Sequence, residues 1–181
     1  DTVNFQVYGN MEPQKAATEA VRETEGQILC QDGEAVEAYY FSTSAGVTST
    51  DEIWGSDEAA PYLRSVPCKF DEEEPWSSWI VELPWKMLED RIREKGEGTV
   101  LRSVTVIRRS ESGAATALEA VSDKDSCIIE NEYEIREFLA PVNCMITEKD
   151  GTETAGGSLL PSAYFELERT QDGNLLVRCK G

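Results

Sequence analysis

The chain contains no histidine. That absence excludes a Ser-His-Asp triad, a Cys-His dyad and every metal site built on imidazole within these 181 residues. Basic residues are also scarce: 17 Lys and Arg stand against 35 Asp and Glu, a net charge of −18. Nucleic acid is therefore excluded as an expected partner, because its phosphates would be repelled. No stretch approaches the roughly 18 apolar residues of a membrane span, so no transmembrane segment is expected in this chain. No signal peptide opens it at Asp1. The five cysteines, Cys30, Cys68, Cys127, Cys144 and Cys179, form no C-x-x-C pair. No zinc or other metal site and no cofactor is expected. An odd count leaves at least one thiol outside any intramolecular bridge. Cys30, Cys127 and Cys179 lie among apolar residues and read as buried thiols in a chain without disulfides.

What is present suffices for a core. An apolar share of 40 % and a length of 181 residues fit one domain, 1–181, with 76–160 as a candidate sub-lobe. Strand runs interspersed with about three helices predict an α+β fold of antiparallel strands and hairpins. Met11 to Glu23 reads as a helix with Pro13 in its first turn and Gly26 as its stop. Gln27 to Cys30 and Ala35 to Phe41 read as a hairpin about Asp32-Gly33. Thr48 to Pro75 reads as a long loop whose acidic run Asp71-Glu72-Glu73-Glu74 is solvated.

Farther on, Trp79 to Leu83 is a strand, and a helix from Pro84 to Lys95 carries Trp85, Leu88 and Ile92 on one face. Thr99 to Arg108 and Ala114 to Ser122 alternate as antiparallel strands, with Cys127 to Ile129 as a third. Asn131 caps a helix with Ile135, Phe138 and Leu139 on its buried side. Val142 to Thr147 is a strand, and Glu148 to Ser158, polar and Gly-rich, reads as a flexible loop. Tyr164 to Glu168 and Leu175 to Cys179 close the chain as a hairpin over Asp172-Gly173.

Chemistry concentrates where the apolar run Ala38-Tyr39-Tyr40-Phe41 meets Ser42-Thr43-Ser44-Ala45-Gly46-Val47-Thr48. Four hydroxyls within seven residues, a glycine and nearby aromatics suit a carbohydrate groove, which uses hydroxyl hydrogen bonds and aromatic faces. Tyr40 and Ser44 are the foremost candidates, with Ser42, Gly46, Thr48 and Trp54 beside them. Tyr40 would stack on or hydrogen-bond a sugar, Ser44 would bind an acetamido group, and Gly46 would permit close approach. The alternative is that Tyr40 packs in the core and Ser42 to Thr48 merely cap a turn. Trp54, Trp76, Trp79 and Trp85 favour core packing over sugar stacking. Glu52, Asp57 and Glu58 are the carboxylates nearest this segment, but acidic residues are too abundant for proximity to single them out.

Val21, Thr24, Gly26 and Ile28-Leu29, then Tyr40-Phe41-Ser42-Thr43-Ser44-x-Gly46-x-Thr48, Trp54-Gly55 and Tyr62-Leu63-x-Ser65-Val66 follow one another in order. Together they resemble the middle of the stage II sporulation protein D (SpoIID/LytB) family, peptidoglycan lytic transglycosylases of spore-forming bacteria and relatives. The resemblance is dense from Phe5 to about Val66 and thinner to Gly181. It implies peptidoglycan glycan strands as partner and an extracellular or cell-surface location, membrane-anchored in the full-length protein. It further implies cleavage without water: a carboxylic acid protonates the glycosidic oxygen, and the muramic acid's own hydroxyl attacks the anomeric carbon.

The family's catalytic Glu lies in an E-M-P-type motif ahead of an A-A-R-T-Y-type helix. Phe5-Gln6-Val7-Tyr8 matches the segment after both, and neither motif occurs here. The expectation is a central fragment of the domain, cut at both ends, with its catalytic Glu upstream and absent. Some members bind zinc through His and Cys around that segment, where this chain has Val3, Asn4 and Phe5. The runner-up is a non-enzymatic cell-wall glycan-binding or assembly module.

Overall fold

A computed structural model describes residues 12–49 and 60–181. They fall into two compact units divided between Tyr39 and Tyr40. The first holds α1 (Lys15–Glu23) and a two-stranded hairpin, β1 (Cys30–Gln31) with β2 (Glu34–Ala35). Asp32 and Gly33 take φ of 52° and 88°, the doubly left-handed turn that matches hairpin twist. The fold is less regular here than its composition suggests. Pro13 precedes the Gln14 N-cap instead of occupying the first turn, and the returning strand stops at Ala35, well short of Phe41. The physical reason is burial: α1 buries no residue, and Val21, Ile28 and Leu29 are exposed. Strand propensity without a covering surface does not extend a strand.

The second unit is built on two antiparallel sheets. In the larger, order β8-β7-β3-β10-β9, the centre is β3 (Trp79–Leu83) against β10 (Leu175–Cys179). Trp79, Val81 and Leu83 point inward, opposite Cys179, Val177 and Leu175. Strict alternation puts all six on one buried face. β9 (Phe165–Arg169) flanks β10, while β7 (Met145–Glu148) and β8 (Glu153–Ala155) form an outer hairpin. The second sheet is β4 (Leu101–Arg109), β5 (Ala115–Ser122) and β6 (Ser126–Glu130) in sequence order. β5 is central and small-residue-rich, so α3 (Glu132–Phe138) packs closely on it through Ile135 and Phe138. α2 (Trp85–Glu94) buries Leu88 and Ile92 in the same core. Among the described residues three α-helices and antiparallel sheets make this an α+β fold, as the pattern of the chain indicates.

Two readings of the chain need correcting. Glu148 to Ser158 is not a flexible loop, because Glu153–Ala155 pairs with Met145–Thr147 as an edge strand with Glu153 and Ala155 exposed and Thr154 half-buried. Among the cysteines only Cys179 is buried; Cys30 is exposed on the unburied hairpin, and Cys127 is half-buried beside exposed Ile128. All five are unpaired. Arg91 ties α2 to the end of α3 by donating to the carbonyls of Phe138 (2.5 Å) and Ala140 (2.6 Å). A cation there also meets the negative end of the helix. Among the described residues no helix is long and apolar enough to cross a membrane.

Asn131 starts α3 with φ 58° and ψ 157°, a region otherwise kept for glycine, and accepts a hydrogen bond from the Glu134 amide at 2.9 Å. Asn131→Ala loses the cap and keeps the strain, and is expected to lower stability by about 1 kcal/mol in urea denaturation. Asn131→Gly relieves the strain and is expected to cost clearly less. Iodoacetamide is expected to modify Cys30 in the native protein. Cys179, whose thiol burial pushes well up, should stay unmodified until the chain unfolds.

Candidate functional site

The hydroxyl-rich segment after Phe41 is held as a loop on one end of the larger sheet. Its partner is the stretch from Ser65 to Asp71. The Cys68 amide donates to the Gly46 carbonyl, and the Thr48 amide to the Val66 carbonyl, both at 2.9 Å. Val47 and Pro67 face each other between these bonds as an isolated antiparallel bridge. The pairing does not become a regular ladder, because the Gly46 and Val66 amides donate to the Ser44 and Thr48 hydroxyls and not to the facing carbonyls. Thr48 completes it: its hydroxyl accepts from the Val66 amide (3.0 Å) and its carbonyl from the Ser65 hydroxyl (2.7 Å).

Ser44 is the centre of the clasp and is only 5 % exposed. Its amide donates to Asp71 Oδ2 at 2.8 Å. Its hydroxyl donates to the Cys68 carbonyl (3.4 Å) and accepts from the Gly46 amide (3.3 Å). The Cys68 thiol lies 3.7 Å from the same Asp71 oxygen. Gly46 has φ of +90°, which only glycine takes without strain, while space around it is open. Its need is therefore conformational.

The sheet fixes this loop from beneath. The Trp79 indole N–H donates to the Gly181 carbonyl at 3.0 Å, holding the residues after β10 in place. Gly181 lies so close to the backbone of Ser44 and Ala45 that a Cβ there would sit 2.7 Å from the Ala45 nitrogen. On the other side the Ser49 hydroxyl meets Tyr164 Oη at 2.8 Å.

Of the candidates read from sequence, Ser42, Ser44, Gly46 and Thr48 come together in this one loop. Tyr40 leads into it and is 66 % exposed, with Phe41 also exposed; neither is core. Ser42 is exposed, whereas the polar groups of Ser44 and Thr48 are spent on the loop itself. Trp54 lies outside the described residues, as do Glu52, Asp57 and Glu58. Asp71 corrects the reading of a wholly solvated acidic run: Glu72 to Glu74 are exposed, but Asp71 is bound into the site. No local signal marks it, because its partner is 27 residues away. Ser49, Cys68 and Tyr164 are likewise brought in only by the fold.

The carboxyl of Asp71 is held below its ordinary value, chiefly by the Ser44 amide and then by further hydrogen bonding from Ser44, against a small opposing effect of burial. Asp90, Asp123 and Asp150 are also pulled down, each by donors around it. Of the two glutamates buried among the described residues, Glu132 pairs with Arg136 (2.6 Å) and Glu148 accepts from Thr154 (2.5 Å). Among the described residues no group of three His, Cys, Asp or Glu is placed to hold a metal ion.

No protein-family model matches the chain. It is 33 % identical over 92 residues to the amidase enhancer of Bacillus subtilis (strain 168), a match covering 50 % of this chain and 12 % of that protein. It is 41 % identical over 61 residues to the stage II sporulation protein D of the same organism, covering 34 % of the chain and 18 % of the relative. The Bacillus amyloliquefaciens stage II sporulation protein D matches at 41 % over 61 residues, covering 34 % and 17 %. The chain thus spans less than a fifth of the length of each of these relatives.

A folded-state pKa below the unfolded one means that the Asp71 clasp is complete above the ordinary carboxylate value and is lost as pH falls through the lower, folded value. The Ser44 amide resonance is expected to titrate with a midpoint below the ordinary aspartate value in an NMR pH series. Asp71→Asn, which has no proton to lose, is expected to abolish that titration.

Proposed function

We propose that this chain, related to the stage II sporulation protein D family by 33–41 % identity over a third to a half of its length, is the glycan-contacting part of a protein that remodels the bacterial cell wall. It acts outside the cell membrane on peptidoglycan glycan strands. The observation that carries this reading is the exposed aromatic pair Tyr40-Phe41 leading into a loop whose backbone is internally fixed. Sugars bind by laying an apolar ring face on an aromatic face and exchanging hydroxyl hydrogen bonds at its rim. Tyr40 supplies the face and Ser42 the exposed hydroxyl; Ser44, Gly46 and Thr48 hold the shape. Rigidity matters because ordering a loop on binding would subtract from affinity.

The reaction attached to the reading is lytic transglycosylation: protonation of the glycosidic oxygen, then attack by the sugar's own hydroxyl to leave an anhydro end. Such an acid needs a raised pKa, normally from burial in an apolar cleft. The described aspartates with displaced titration are all displaced downward, and the two buried glutamates are engaged by Arg136 and Thr154. This supports a division of labour in which the chain binds glycan and the proton donor lies outside this chain. It also favours, as second reading, a non-enzymatic cell-wall module.

Co-sedimentation with insoluble peptidoglycan tests the binding. The chain is expected in the pellet, and Tyr40→Ala is expected to weaken retention roughly tenfold, the scale of one aromatic contact. Mass spectrometry of the supernatant is expected to find no anhydro-muropeptides. Their release by this chain would overturn the division of labour, and an unbound chain would overturn the reading as a whole.

A further inference from the structure

Beside the loop, four hydroxyls stand in one continuous chain. Ser49 Oγ is 2.8 Å from Tyr164 Oη, Tyr164 Oη is 2.9 Å from Ser112 Oγ, and Ser112 Oγ is 2.9 Å from Ser110 Oγ. Ser110 Oγ also accepts from the Ala114 amide at 3.1 Å, which fixes that end to the β4–β5 turn. Tyr164 is the member that joins three separate parts of the fold. Its ring packs on Ala114 and Ala163, both buried. Its amide donates to Ser162 Oγ (3.2 Å), and its carbonyl accepts from the Lys180 amide (2.9 Å). Ser162 in turn donates to the Lys180 carbonyl at 2.7 Å. The phenol oxygen is thus held on a fixed ring and a fixed backbone, and its two hydrogen bonds reach Ser49 and Ser112.

We propose that Tyr164 is a positioning residue for the glycan-contacting loop, setting the place of Thr48 and Ser49 by hydrogen bonding and not by packing. The proposal rests on the reading above for what the loop binds, but the positioning is a property of the protein by itself. Hydroxyls in a chain can share one donor direction. When Ser110 donates to Ser112, Ser112 to Tyr164 and Tyr164 to Ser49, the Ser49 proton is left for a ligand oxygen. A ligand hydroxyl at that spot would then be the fifth member of a polarised series, and every bond in it would strengthen. Asp71 fixes the start of the loop through Ser44, and Tyr164 fixes its end through Ser49.

Tyr164→Phe removes one oxygen and keeps the ring. In hydrogen–deuterium exchange, peptides covering 44–49 are expected to exchange about tenfold faster than wild type, the order expected when one or two hydrogen bonds are lost. Peptides from β3 and β10 should be unchanged. Ser49→Ala is expected to give the same local effect, and the double variant no more than either single one, because both cut the same bond. Unchanged exchange at 44–49 would overturn the proposal. So would exchange raised equally in β3 and β10, which would mean that the phenol only supports packing. Retention on insoluble peptidoglycan, measured on the same samples, separates the two claims. Faster loop exchange in a wild-type background that binds no peptidoglycan leaves the positioning standing and removes the glycan reading. Binding by wild type with unaltered exchange in Tyr164→Phe does the reverse.

Discussion

The pairing of β3 with β10 is the constraint on which the second unit depends. Five consecutive residue pairs lock Trp79–Leu83 against Leu175–Cys179, and alternation turns Trp79, Val81 and Leu83 to the same side as Cys179, Val177 and Leu175. A shift of one residue would expose this entire set to water. The same register brings Trp79 beside the last residues, so that its indole can hold the Gly181 carbonyl and press that backbone against Ser44 and Ala45. Core and candidate site are therefore not independent. The apolar face of a central strand pair fixes the floor on which a polar loop rests.

Where burial governs structure, the chain could be read from its residues. Trp79 to Leu83 alternates cleanly and is a strand with those bounds; Leu88 and Ile92 lie one turn apart and are the buried face of α2; Asn131 caps α3 through Glu134. Where burial is missing, residue preference misleads. Ala38 to Phe41 is rich in strand formers yet forms no strand, and its side chains are exposed. Glu153–Ala155 has little strand character and forms one, because the edge of the sheet supplies a partner and no side chain need be buried. Propensity is a weak force beside the gain from covering an apolar face.

The site divides in the same way. Its hydroxyl-bearing side was visible as Ser42, Ser44, Gly46 and Thr48, since small polar residues and glycine after an aromatic run are unusual for a buried strand. Its other side was not. Asp71 looked like one more residue of an acidic run, and Tyr164 like the first residue of a strand. Each acquires its part from a partner far along the chain, 27 residues away for Asp71 and 115 for Tyr164. Periodicity and motif spacing carry no information over such separations.

Those separations also set an order of events. The loop is held by contacts with the 65–71 segment, the turn before β9 and the residue after β10, so its full set of contacts is complete only when the last strand has joined the sheet. Closing so long a stretch of chain is entropically costly, and contacts of this range form late on a folding route. The candidate loop is thereby among the last parts to be completed: a chain still awaiting β10 lacks the Gly181 floor under Ser44. Loss would run in the same sequence backwards, so that fraying at one sheet end would silence the loop while the core beneath it is still intact.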